Sequence, residues 1–178
     1  MNILQSLFEE VTRPKQPLHV GEVMLLWTMY TGVKESRAIC LMMTNHTTDP
    51  DLKELIEHFI ADLETPMAKR VAEVMLNEGL TLPPTTGDRP AANESAIPPG
   101  AKLTDMEVAN LLVVKLEGMM HVCHAALLQS IRSDIGQMFY AFQSHLLAQG
   151  FTLKNLMQKR GWLRLPPYYH PEGSAAGR

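Results

Sequence analysis

Residues 19–46 read His19-VGEVMLLWTMYTGVKESRAICLMMTN-His46, and the pattern of these side chains decides the fold. Wound at a helical period, Val20, Val23, Met24, Leu25, Leu26, Trp27, Met29 and Tyr30 leave no clear water-facing stripe. A helix that is apolar all round is covered by neighbours on every side. Other helices, or another subunit, are therefore expected to pack around it. One acid breaks the pattern. Glu22 shares its helical sector with Leu26, Met29 and Val33, and a buried charge needs a partner. A polar group or a metal is expected against its carboxylate.

Working outward, this helix A is expected from about Pro17, a good first-turn residue, to about His46. Asp49 followed by Pro50 is an N-cap with proline in the first turn, so helix B starts there. It runs through Leu52, Leu55, Ile56, Phe59, Ile60 and Leu63, is expected to kink at Pro66, resumes through Val71 and Met75, and stops at Gly79. Leu80 to Leu103 is rich in proline and glycine. A connection of that length is unusual inside a compact domain, and it could run the full length of a bundle as a crossover, since extended chain covers ~3.3 Å per residue. Thr104 with Glu107 forms a capping-box pattern, opening helix C, which is expected to reach about Arg132. Ser133 or Asp134 then caps helix D, which Gly150 interrupts at some cost and Gly161 ends.

Helices B and D close on similar strings, Gly79-Leu-Thr-Leu-Pro83-Pro84 and Gly161-Trp-Leu-Arg-Leu-Pro166-Pro167. The echo suggests two related helical hairpins, although Gly followed by Pro-Pro is also a common helix stop. Two hairpins joined by a long crossover make an all-α four-helix bundle. The expected organisation is an N-terminal arm or short helix over 1–16, the bundle over 17–167 and a tail over 168–178.

Composition narrows the function classes. The 178 residues suffice for one domain with a sizeable core. A net charge of -3 with 20% charged residues gives no nucleic-acid signature, and the basic pairs Lys69-Arg70 and Lys159-Arg160 lack interleaved aromatics. No uncharged run in the apolar stretch reaches the ~20 residues of a membrane span. Glu9, Glu10 and Arg13 arrive with no apolar run before them, so a cytoplasmic chain is expected. Cys40 and Cys123 have no metal or redox spacing and fit buried thiols or a reducing compartment. The twelve methionines read as flexible core filler. Gly-rich phosphate loops, nucleophile elbows and local Cys–His pairs are absent.

The residues also carry a resemblance. Glu22-x-x-x-x-Trp27, Asp49-Pro50-Asp51-Leu52, Thr104-Asp105, Ile131-Arg132-Ser133-Asp134-Ile135 with Phe139, and Gly161 with Pro166-Pro167-Tyr168 resemble an uncharacterised ferritin-like family of spore-forming bacteria related to spore coat protein F. The resemblance covers Leu18 to Tyr169. It implies a ferritin-like four-helix bundle with a long crossover between helices B and C, and a link to sporulation and the spore. It supplies no reaction.

Ferritin-like bundles often hold two irons with a Glu from each of two helices and Glu-x-x-His from each of the other two. Three residues make about one turn, which puts both ligands on one face. No Glu-x-x-His occurs here; the chain has His19-x-x-Glu22, Glu54-x-x-x-His58 and Glu117-x-x-x-His121. This departure speaks against an oxygen-activating di-iron enzyme. A smaller site for a divalent metal such as iron, zinc or manganese stays open. With a crossover, the start of A, the end of B, the end of C and the early half of D lie together, which brings Glu22, Glu73, His121, His124 and His145 toward one end. Each has a simpler reading. Glu22 is a buried acid with a polar partner. His121 and His124 share a stripe with Glu107, Asn110 and Glu117 that reads as the wet side of helix C. His145 is a core-edge histidine and Glu73 a surface residue.

Two classes of function follow. One is a non-enzymatic structural or interaction bundle, with a homodimer or coat components as its partners and neither nucleic acid nor membrane. The other is a metal-binding bundle for storage, sensing or redox work. The breadth of the apolar surface on helix A favours the first. That surface exceeds what one bundle core covers, so the arm and crossover, or a second copy of the chain, must cover the rest.

Overall fold

The computed structural model describes residues 15–169; all but two residues each of the expected arm (1–16) and tail (168–178) lie outside them. The described chain is all-helical: α1 (Val20–His46), α2 (Pro50–His58), a π-helical segment (Phe59–Glu64), α3 (Thr65–Asn77), a 3-10 turn (Glu94–Ala96), α4 (Asp105–Gln129) and α5 (Ser133–Arg160). The α2, π and α3 segments run on as one bundle helix, so four long helices make the molecule.

Polar contacts at the helix ends give the topology. The Thr48 N–H donates to Asp105 Oδ1, which sets the end of α1 beside the start of α4. Arg160 at the end of α5 reaches Asp49 and Asp51 at the start of α2. At the far end Arg132 bridges Glu78 and Asp134, joining the end of α3 to the start of α5. The chain leaves α3 at one end and enters α4 at the other, so residues 78–104 form the expected crossover. α1 and α5 then run parallel on one diagonal, α2–α3 and α4 on the other.

The crossover runs along the second half of α1. Thr86 donates to Glu35 through N–H and hydroxyl, Asp88 takes two hydrogen bonds of 2.9 Å from Arg37, and Asn45 pairs with Pro90 and Ala92 backbone. Leu80, Leu82 and Leu103 pack on the core beside it. Among the described residues the first half of α1 has no such strap, and Val20, Met24 and Trp27 are 86%, 60% and 43% exposed.

The core is a column of Leu26, Met29, Val33 and Met43 from α1, Phe59, Met67 and Met75 from the second helix, Leu112 and Cys123 from α4, and Phe139 and Leu146 from α5. Each large side chain so buried contributes about 1.5–3 kcal/mol. Phe139 and Phe142 meet edge to face at 6.0 Å. Met29, Met43, Met67, Met75, Met119 and Met138 are all buried, which fits the reading of methionine as core filler.

Three local expectations are refined. α1 starts at Val20 because His19 caps it. α4 stops at Gln129, short of Arg132, because the backbone of Ile131 and Arg132 turns to bond Glu22. Helix D is unbroken at Gly150, and its N-cap, Arg132, makes no side-chain cap bond. Gly79 and Gly161 close their helices at φ 76° and 71°, a left-handed conformation that favours glycine. Asp105–Gln129 is long and apolar enough to cross a membrane by length and composition; here it packs against α1 and α5.

Candidate functional site

The site suggested by the sequence does not assemble. Glu22 is buried at 1% exposure, but its carboxylate is occupied by backbone: Oε1 accepts from the N–H groups of Ile131 and Arg132 at 2.9 Å, and Oε2 from His19 N–H at 3.1 Å. His19 completes a capping box, its Nδ1 accepting from Gly21 and Glu22 N–H while Nε2 donates to the Gln129 carbonyl at 3.2 Å. Gly21 is needed for this, since a Cβ there would stand 2.7 Å from His19 Cε1. Glu73 is exposed and pairs with Arg70 at 3.5 Å. His121 is exposed and bonds the Glu117 carbonyl, and His124 and His145 are exposed too. The fold brings the helix ends together as expected, but the side chains of the expected metal set point apart. Among the described residues no three His, Cys, Asp or Glu side chains group to hold a metal.

A different polar cluster lies at mid-bundle. Pro66 has no N–H to give to the carbonyl one turn back, and its ring crowds that carbonyl. The helix responds with the π segment just before it: Thr65 donates its N–H and its hydroxyl to Ile60 O. π segments of this kind are frequent at functional sites. Glu64, the last residue of the segment, is 0% exposed. Cys40 Sγ–H donates to Glu64 Oε1 at 3.9 Å, while Oε2 has no hydrogen-bond partner among the described residues. Beside them the Ser36 hydroxyl donates to Met119 Sδ at 4.0 Å. Burial pushes the Glu64 carboxyl up to about 7, against the opposing pull of Ser36, Lys115, Arg37 and Cys40. Burial likewise pushes Cys40 and Cys123 up to about 12, so both stay thiols.

Glu64 lines a cleft of about 240 Å³ between α1 and α3, which Lys34, Arg37 and Lys69 also line. Three residues after Glu64, where a di-iron bundle would place histidine, stands the buried Met67. Sequence reasoning passed over Glu64, although it shares the apolar sector of Ile60, Met67 and Val71, the same signal that singled out Glu22.

Four helices joined by a full-length crossover give the bundle a ferritin-like fold. Residues 7–174 match the protein family of unknown function DUF3231, and the chain belongs to that family. It is 32% identical over 154 residues to YvdQ of Bacillus subtilis, covering 86% of this chain and 90% of that one. It superposes with a TM-score of 0.84 and 32% identity on a crystal structure from Bacillus halodurans described as a candidate spore coat protein, covering 87% of this chain and 97% of that one. A two-domain protein of Anabaena variabilis with DJ-1-like and ferritin-like domains matches at a TM-score of 0.62 and 14% identity, covering 86% of this chain and 41% of that one. That likeness bears on the fold alone.

Proposed function

We propose that the chain is a structural, non-enzymatic bundle of the spore that works by assembling with a second copy of itself. The observation that carries this reading is the seam of exposed apolar side chains on the first half of α1: Val20, Met24 and Trp27. These residues follow one another at four- and three-residue steps, so they fall on one side of the helix. The crossover leaves them in water. A two-fold axis across α1 would set each seam against its copy, and such isologous contacts are the commonest kind. Spore association rests on the Bacillus halodurans relative. The metal-binding alternative lacks a gathered set of ligands among the described residues.

Light scattering at micromolar concentration tests the reading. A dimer is expected. A monomer across the range would reject it.

A further inference from the structure

We propose that the cleft between α1 and α3 binds a small organic carboxylate, gripped by Lys34 and Lys69 and hydrogen-bonded by the carboxyl group of Glu64. The inference is independent of self-assembly and rests on the cleft itself. Its lining carries a buried acid whose Oε2 has no partner. Leaving such a group unsatisfied costs about 1–3 kcal/mol. Glu64 has no accessible surface in the cleft, so a ligand oxygen would relieve the cost once the carboxyl turns toward it.

The charges around the cleft select the sign of the ligand. Lys34 and Lys69 make no ion pair among the described residues, although Lys34 lies within electrostatic reach of Asp88. Arg37 is already committed to Asp88 and to Thr65 Oγ1, so it shapes the wall and adds field. A cation would meet three positive side chains. An anion meets two unpaired ammonium groups and an acid that, when protonated, donates a hydrogen bond. Charge-assisted bonds of this kind are the strong ones.

The rest of the lining selects the body of the ligand. Val33 and Ala68 offer apolar wall, which suits a short hydrocarbon and gives bare phosphate nothing. The volume of about 240 Å³ is below the usual range for drug-sized ligands. The titratable groups facing Glu64 are Arg37 and Cys40 from α1 and Lys115 from α4. The two cations favour its ionised form and burial opposes it more strongly. Bringing an anion beside Glu64 favours the protonated acid further, so binding takes up a proton.

Calorimetry with butyrate on the full chain, in two buffers of different ionisation enthalpy, reads this directly. Butyrate is expected to bind at about pH 6, with proton uptake near neutrality and an affinity that falls about tenfold per pH unit above about pH 7. Glu64→Gln keeps a donor, so it should bind butyrate with no such pH dependence. Lys34→Ala combined with Lys69→Ala should lose at least about tenfold in affinity while circular dichroism stays helical. No butyrate binding at millimolar concentration, tighter binding of inorganic phosphate, or a double lysine variant that binds as the parent does would each overturn the proposal.

Discussion

Two buried glutamates act in opposite senses. Glu22 gives its oxygens three backbone N–H groups, and so ties the start of α1 to the turn between α4 and α5. Glu22→Ala removes the acceptor and strands the buried Arg132 N–H. It should cost ~3 kcal/mol and lower the melting temperature by about 10 °C. A calorimetric scan checks this; an unchanged midpoint would mean that the turn is held by other contacts. Glu64 destabilises when ionised. In the unfolded chain it titrates at 4.5, in the bundle at about 7. Between these values the folded state holds a proton that the unfolded state releases. The native bundle is therefore favoured at low pH, and stability attributable to this group is lost as pH rises to about 7, by ~3 kcal/mol in all. Glu64→Gln should flatten the pH dependence of denaturant midpoints between about pH 4.5 and 7. A slope identical to the parent's would place the titration elsewhere.

At the scale of elements, Pro66 does its work without breaking the helix. The sequence predicts a kink, and the structure accommodates the proline in a π segment, with helix on both sides of it. The expected kink also hid Glu64, since its helical neighbours lie on both sides of the proline. The crossover is the other element whose role needed the fold. Its polar straps at Glu35, Arg37 and Asn45 are largely exposed, so each adds little to global stability. Arg37→Ala removes two bonds to Asp88 and one to Thr65. It should shift the melting temperature by no more than about 3 °C, yet speed limited proteolysis within residues 79–104 severalfold. Unchanged cleavage rates would show that Leu80, Leu82 and Leu103 hold the segment by themselves.

For the whole molecule, the breadth of apolar surface on α1 divides in two. The half from Glu35 onward meets the crossover; the half with Met24 and Trp27 meets water. Charges placed there should act on assembly alone. Met24→Glu with Trp27→Glu is expected to convert a dimer to a monomer while leaving helicity and denaturant midpoint nearly as they were, because both residues are already exposed. Loss of helicity in that variant would place them in the fold's own packing.

What the residues determined without any coordinates is local or periodic. Asp49-Pro50, Thr104 with Glu107, Gly79 and Gly161 set helix ends through caps, and the length of the segment from Leu80 to Leu103 was enough for a crossover. Apolar periodicity placed Glu22 in the core, because a sector is a property of one helix alone. Only the tertiary structure decided what each buried acid meets. The partners of Glu22 are backbone groups 109 and 110 positions away, and backbone donors leave no trace in residue identity. Topology alone led to the expectation that the five ligands share an end of the bundle, but whether they converge depends on the rotation of each helix about its axis. That rotation follows from the packing of all four helices together. It turns His121, His124, His145 and Glu73 to solvent and Glu64 inward.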